Sequence, residues 1–169
     1  MTVPYRIAVV CLGNICRSPM AGVVLADRVA KAGLGDRVEV ATAGTGDWHV
    51  GSPMDRRAAA VLVAAGLDPS EHRARQFDPG WFDDFELVLA MDAANRADLA
   101  ALASAAKGDP ERVRMFRDFD PLADDGDREV PDPYYGGDEG FDTVMAMVQR
   151  TADHLVAWLE GQLLGSDRR

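Results

Sequence analysis

Short apolar runs recur along the chain, each bounded by polar or glycine-containing segments. The first, residues 5–10, is rich in β-branched side chains and ends at a glycine-containing turn, as expected of a buried strand. Comparable runs predict three more strands, at 38–42, 87–91 and 112–116. The sequence therefore predicts four short strands separated by longer connections.

Apolar residues at helical spacing fill most of these connections. A helix is predicted from Pro19 to about Lys31, because proline suits the first helical position, where its missing N–H needs no partner. Further helices are predicted at 54–65, 92–106 and 144–163, and loops at 43–53 and 119–137. Strands that alternate with helices predict an α/β fold, a three-layer αβα arrangement with a parallel sheet. Ligands bind beyond the carboxyl ends of such strands, where Cys11 lies.

Length and composition add that the chain is one ordinary folded domain. It has 169 residues, of which 47% are hydrophobic and 27% are charged. We expect a single domain over residues 1–164 and a frayed tail at 165–169.

Charge and cysteine content narrow the partners and the compartment. A net charge of −10 argues against nucleic acid as a partner, because phosphate contacts need basic surface. The sequence contains no run of 18 apolar residues, so we expect no membrane-spanning helix. Its first residues also lack the pattern of a secretory signal. The two cysteines, Cys11 and Cys16, are too few for a disulfide scaffold or a four-cysteine zinc site. They favour the reducing cytoplasm, with non-classical export as the alternative.

The segment 10–19 (VCLGNICRSP) carries the clearest chemistry. Five residues separate Cys11 from Arg17, between a predicted strand and the start of a helix. A loop there can turn its backbone N–H groups onto an oxyanion, and the helix N-terminus adds positive charge. Arg17 offers a planar fork for two phosphate oxygens. The same positive environment favours the thiolate form of Cys11, which is the nucleophilic form.

Three further residues of this segment suit a phosphate-binding loop. Gly13 permits close approach of the backbone to a ligand, and Asn14 tolerates a left-handed conformation. Ser18 can donate its hydroxyl to the Cys11 thiolate. The segment therefore predicts a nucleophile beneath a bound phosphate, ready for in-line attack.

A second segment, residues 131–136 (PDPYYG), supplies a proton donor. Phosphoryl transfer needs an acid for the leaving oxygen, and Asp132 in its protonated form can serve. Prolines on both sides stiffen the loop around it.

Together these two segments resemble the signature segments of the low-molecular-weight protein tyrosine phosphatase family. The resemblance runs from Val9 to about the last predicted helix, and residues 42–44, 47–48 and 90–92 also look like family positions. It implies a four-stranded parallel sheet flanked by helices, in agreement with the prediction above. It also implies hydrolysis of phosphotyrosine-containing proteins through a phosphocysteine, without a metal or other cofactor, by a monomer or a weakly self-associating chain.

The resemblance also implies roles for individual residues. Cys11 would be the nucleophile, Arg17 would bind the phosphate, and Asp132 would protonate the leaving phenol and then accept a proton from water. The phosphate-binding loop would comprise the residues around them, Leu12, Gly13, Asn14, Ile15, Cys16 and Ser18. His72 would support the hydrogen bonds of this loop from behind.

A deep cleft for an aromatic ring follows from the same resemblance. Trp48, Tyr134 and Tyr135 would wall it together with Leu12, and the shorter phosphoserine side chain would not reach Cys11. Three further polar residues are expected to be structural: His49, His154 and Asp92, the last as a helix cap.

Cys16 has two interpretations. It is either a small core residue or a partner that forms a disulfide with an oxidised Cys11 and so prevents over-oxidation.

One departure from the family pattern and three alternative functions bear on this reading. Many members have glutamate where this chain has Gly22, which removes one partner for His72.

Arsenate reduction is disfavoured because it needs further cysteines downstream of Cys16. A phosphoarginine phosphatase tends to carry threonine where this chain has Ile15. A non-catalytic phosphopeptide-binding module is the third alternative, although the three catalytic candidates are intact.

Overall fold

The four predicted strands form one parallel sheet in a computed structural model that describes residues 3–167. In chain order they are β1 (Tyr5–Cys11), β2 (Val38–Gly44), β3 (Leu87–Ala90) and β4 (Val113–Met115). They lie in the order β2-β1-β3-β4, and every neighbouring pair is parallel. The predicted α/β class is confirmed.

The helices follow the predicted pattern with shifted ends. They are α1 (Arg17–Lys31), α2 (Arg56–Ala64), α3 (Trp81–Asp84), α4 (Ala93–Ala105) and α5 (Asp138–Asp167), with 3₁₀ turns at Pro110–Arg112 and Phe116–Phe119. Helix α1 begins two residues before Pro19, which is still within the first turn, where backbone N–H groups lack helical partners. The tail predicted to fray from residue 165 is helical as far as Asp167, and residues 168–169 lie outside the described residues.

The sheet separates two apolar cores. Along β1 the side chains alternate, so that Ile7 and Val9 pack with α1, α2 and α5, while Ala8 and Val10 pack on the other face with α3 and α4. All four side chains are fully buried. Burial on both faces explains why the run is continuously apolar rather than alternating.

Parallel pairing places the carboxyl ends of the central strands at one edge of the sheet. Cys11, the last residue of β1, pairs with Gly44 at the end of β2, and Val10 pairs with Ala90 at the end of β3. The loops that follow these strands therefore meet at this edge. Among residues 3–167, no helix has both the length and the apolar character needed to cross a membrane.

Candidate active site

The loop between β1 and α1 surrounds the sulfur of Cys11. Cys11 is buried, and its Sγ accepts the backbone N–H of Asn14 at 3.3 Å. The Ser18 hydroxyl lies 3.0 Å from the same sulfur. Ser18 Oγ accepts from Asn14 Nδ2 at 2.8 Å, and its own proton can be donated either to the Cys11 sulfur or, over a longer distance of 3.4 Å, to the Ala43 carbonyl. The Asn14 N–H and the Ser18 hydroxyl therefore both contact the Cys11 sulfur.

Asn14 holds the shape of this loop from a left-handed backbone conformation, with φ of 58°. Its buried side chain donates to Ser18 and to Thr42 Oγ1 (3.0 Å), and its Oδ1 accepts the backbone N–H of Arg75 at 3.0 Å. His72 Nε2 lies 2.7 Å from the Asn14 carbonyl oxygen. A carbonyl only accepts, so this nitrogen carries the proton.

His72 therefore supports the loop from behind as a neutral ring. Burial lowers the pKa of His72, against the raising effect of its bond to the Asn14 carbonyl. Gly22, which stands where many family members have glutamate, lies close to this hydrogen-bond network. A Cβ on Gly22 would lie 2.4 Å from the methyl group of Thr42, the residue whose hydroxyl binds Asn14. The Thr42 methyl occupies the space that a side chain on α1 would need.

Arg17 is buried at the start of α1 and is held in one orientation. Its Nη1 donates to Asp92 Oδ2 at 2.7 Å and to the Val130 carbonyl at 3.0 Å. Asp92 also accepts the Asn95 backbone N–H at 2.7 Å, so it caps α4 as predicted and orients Arg17 as well. Burial alone would lower the pKa of Arg17, but the negative charges of Cys11 and Asp92 outweigh it and raise the pKa.

Asp132 faces the same guanidinium from the acidic loop. Its Oδ2 lies 3.9 Å from Arg17 Nη2, and its Oδ1 accepts the backbone N–H of Tyr134 at 3.1 Å. The carboxyl is 40% exposed, on the side of the cleft. The loop is tied to the sheet edge next to it, because Val130 N donates to the Met91 carbonyl at 2.8 Å.

These groups meet in a cleft of about 370 Å³. Its floor is residues 11–17, and its walls bring together the residues predicted from the sequence, Trp48, Asp132, Tyr134 and Tyr135. Trp48 is 71% exposed and Tyr135 is 91% exposed, so both form a rim rather than part of a core.

His49, expected to be structural, is also a lining residue of the cleft. Its ring lies over Gly13, where an added Cβ would approach His49 Cδ2 to 3.0 Å. The sequence signal that could have found it is its place beside Trp48 in the glycine-rich loop. His154, by contrast, lies on the exposed side of α5.

Cys16 borders the cleft as a buried thiol. Burial, followed by the nearby charges of Asp55 and Cys11, raises the pKa of Cys16 to about 12. Both cysteines are free, and the raised pKa keeps the Cys16 thiol protonated near neutral pH.

Comparisons with known proteins agree with this geometry. The family model for low molecular weight phosphotyrosine protein phosphatase matches residues 6–164. A low molecular weight protein-tyrosine-phosphatase of Streptomyces coelicolor is 46% identical over 161 residues, covering 95% of this chain and 97% of that protein. Low molecular weight protein-tyrosine phosphatase A of Mycobacterium tuberculosis is 42% identical over 163 residues, covering 96% of each. The crystal structure of YfkJ from Bacillus subtilis matches with a TM-score of 0.87 at 32% identity, covering 95% of this chain and 98% of that one.

Proposed function

Because this chain belongs to the low molecular weight phosphotyrosine protein phosphatase family, we propose that its reaction runs through Cys11, Arg17 and Asp132. One observation carries the proposal: the buried Cys11 sulfur, the Arg17 guanidinium and the Asp132 carboxyl border a single cleft of about 370 Å³. A nucleophile, an anion-binding group and a proton donor are what displacement at phosphorus needs.

In the first step the Cys11 thiolate attacks phosphorus and the bond from phosphorus to the phenolic oxygen breaks. The Asp132 carboxyl gives its proton to that oxygen, so the leaving group departs as a neutral phenol. In the described part of the chain, the hydrogen bonds from the Arg17 guanidinium to other residues run from Nη1. The Nε and Nη2 edge is therefore available for two phosphate oxygens.

In the second step a water molecule attacks the phosphocysteine. The Asp132 carboxylate takes a proton from the water, the sulfur–phosphorus bond breaks, and inorganic phosphate leaves. The Ser18 and Asn14 donors, at 3.0 and 3.3 Å from the sulfur, stabilise the thiolate as a leaving group in this step.

The substrate class follows from depth and lining. Cys11 is 3% exposed at the floor, whereas Trp48 and Tyr135 stand at the rim, so a phenyl ring suits the span better than the short side chain of phosphoserine. Ile15 gives the lower wall an apolar surface, which favours an aromatic ring over the guanidinium of phosphoarginine. We propose phosphotyrosine in proteins as the substrate.

The compartment and the assembly are proposals as well. Two free, buried cysteines suit the reducing cytoplasm. Since Cys11, Arg17 and Asp132 of a single chain border the same cleft, we propose a monomer or a weakly self-associating chain.

The test is hydrolysis of p-nitrophenyl phosphate against pH in the presence of a chelator, with wild type, Cys11→Ser and Asp132→Asn side by side. We expect turnover by wild type, none by Cys11→Ser, and a loss of roughly 10²–10⁴-fold for Asp132→Asn, as for a removed general acid. A wild type that binds phosphotyrosine peptides without turning over aryl phosphates would instead be a binding module.

Substrate choice needs a second assay with three ligands on one peptide scaffold. Phosphotyrosine, phosphoserine and phosphoarginine peptides are compared by kcat/KM, and an Ile15→Thr variant is measured beside wild type. Preference for phosphotyrosine that weakens in Ile15→Thr supports the lining argument. Equal or better hydrolysis of phosphoarginine by wild type contradicts it.

A further inference from the structure

Arg57 joins the two loops that carry the chemistry, although neither signature segment contains it. It lies in the first turn of α2, beside the residue that caps this helix. Asp55 accepts the Arg57 backbone N–H at 2.8 Å, and its carboxylate binds the guanidinium at 3.2 and 3.3 Å. The backbone N–H of Asp55 in turn donates to the Ile15 carbonyl at 2.9 Å. One end of this arrangement is thus attached to the phosphate-binding loop.

The other end is attached to the loop of Asp132. Arg57 Nη2 donates to the Tyr134 carbonyl at 3.0 Å, and Nη1 donates to the Gly136 carbonyl at 3.3 Å. The backbone N–H of the same Tyr134 donates to Asp132 Oδ1 at 3.1 Å. Tyr134 therefore connects Arg57 to the Asp132 carboxyl, since its carbonyl binds the first residue and its N–H binds the second.

Residues 133–137 depend on this attachment. Within the part of the chain that the structure describes, both hydrogen bonds that reach residues 133–137 from outside the stretch 132–140 come from Arg57. The guanidinium also packs on the Phe141 ring, 4.5 Å from its centroid, and lies 5.6 Å from the Tyr134 centroid. This end of the loop has no regular secondary structure.

We propose that Arg57, oriented by Asp55, is a positioning residue that holds the Asp132 carboxyl and the Tyr134 wall over the Cys11 loop. This inference rests on the proposed role of Asp132 as proton donor. A general acid must lie within hydrogen-bond reach of the leaving oxygen, and a displacement of about 1 Å can cost about 10²-fold in rate. A planar fork serves one carboxylate and two carbonyls at once, which the single ammonium group of lysine does not.

The expected signature is a dependence on the leaving group. Loss of acid positioning slows phenyl phosphate, whose phenolate leaves poorly, more than p-nitrophenyl phosphate. We expect Arg57→Ala and Arg57→Lys to lower kcat/KM for phenyl phosphate by roughly 10- to 100-fold, with a smaller loss for p-nitrophenyl phosphate. Arg56→Ala is the matched control, an exposed arginine one residue away without a described contact to the loop, and it should stay within about twofold of wild type.

A double-mutant cycle with Asp132→Asn separates positioning from general damage. If Arg57 acts through Asp132, Arg57→Ala lowers kcat/KM little further in the Asp132→Asn background. Multiplicative losses, or equal losses for both substrates, would overturn the inference. Thermal unfolding is followed for each variant, and Arg57→Lys replaces Arg57→Ala in the cycle if the alanine variant does not fold.

Failure of the proposed function gives a different pattern. If Asp132→Asn leaves both substrates unaffected, the acid assignment is wrong and the positioning role of Arg57 falls with it. If Asp132→Asn shows the leaving-group dependence and Arg57→Ala does not, only the role of Arg57 is wrong.

Discussion

Replacing Asp120 by asparagine perturbs a buried charge network beneath the acidic loop. The Asp120 side chain has no exposed surface and accepts two bonds from Arg150, at 2.7 and 2.9 Å, and one from Arg117, at 2.8 Å. Arg117 is only 2% exposed. Removing one member of a buried ion pair costs about 3–5 kcal/mol, because the remaining charge is left without compensation. Here Arg150 reaches the surface and Arg117 keeps its ion pair with Asp127 at 2.7 Å, so we expect Asp120→Asn to lower the free energy of unfolding by only about 2 kcal/mol at pH 7.

The same contacts make this contribution depend on pH. The bonds from Arg150 outweigh burial and, with those from Arg117, hold the pKa of Asp120 well below its usual range. A carboxylate with a lowered folded-state pKa stabilises the fold above its unfolded pKa of about 3.9. This stability is lost as the pH falls from there towards the folded value. The difference in unfolding free energy between wild type and Asp120→Asn is therefore largest at pH 7 and becomes smaller below about pH 4.

Urea unfolding followed by tryptophan fluorescence measures both effects. Trp158 is a suitable probe because its ring lies 5.3 Å from that of Phe119, beside the network. Asp125→Asn is the control, since Asp125 is fully exposed and solvent screens its ion pair with Arg128 at 3.4 Å. A loss below about 1 kcal/mol for Asp120→Asn at pH 7, or a difference that stays constant down to pH 3, would refute the electrostatic reasoning.

Three smaller changes test other parts of the molecule. Gly22→Ala should lower the free energy of unfolding by about 1–3 kcal/mol, because the added Cβ would lie 2.4 Å from the Thr42 methyl group. In a Thr42→Ser background that methyl group is gone, so the helix preference for alanine should make the same change stabilising by up to about 1 kcal/mol. A loss of stability in both backgrounds would contradict the packing argument. Trp48→Ala should raise KM for aryl phosphates by roughly 2- to 10-fold with the melting temperature unchanged, since Trp48 is 71% exposed at the rim, and a lowered melting temperature would make it a core residue instead. When peroxide treatment is followed by a thiol reductant, Cys16→Ser should recover less activity than wild type. In this variant the sulfenic acid of Cys11 lacks a neighbouring thiol with which to form a disulfide. Equal recovery by the two proteins would make Cys16 a packing residue only.

Patterns that repeat along the chain were sufficient to predict the sheet. The central strands β1 and β3 are buried on both faces over most of their length, so they appear in the sequence as continuous apolar runs. The edge strands β2 and β4 are recognisable from shorter apolar stretches that include Glu39 and Arg114. Helix α5 shows where this signal ends, because it starts at Asp138 whereas the apolar spacing predicts a start at Val144. Its first turn carries Asp138 and Glu139, which suit the positive end of a helix but give no apolar periodicity. Helix α3, with four residues, is too short to show a period at all.

The residues of the site likewise include some that the sequence predicts and some that it does not. Cys11 and Arg17 could be predicted to lie together because phosphate chemistry restricts the residue types and the spacing within one short segment. Asp132, in a distant loop, is predicted to join them only through the resemblance to a known family, and the structure places it at the same cleft. Arg57 could not be predicted, since its partner carbonyl belongs to Tyr134, 77 positions later, and accepts through the backbone. A main-chain acceptor leaves no trace in the residue type, so only the folded geometry reveals it.

Two arginines fix the acidic loop just before Asp132, although the loop has no regular secondary structure there. Arg117 Nη1 donates to the Glu129 carbonyl at 2.8 Å, and Arg17 donates to the next carbonyl, that of Val130. Arg17 is also the residue that we propose to bind phosphate. The Nη1 atom that binds the Val130 carbonyl, two residues before Asp132, is separate from the Nε and Nη2 edge that we propose for phosphate, so an anion can bind Arg17 without breaking this attachment. On the other side of Asp132, Arg57 binds the carbonyls of Tyr134 and Gly136. The Asp132 carboxyl therefore lies between two attachments of the loop, and one of them is the same guanidinium that we propose as the phosphate site.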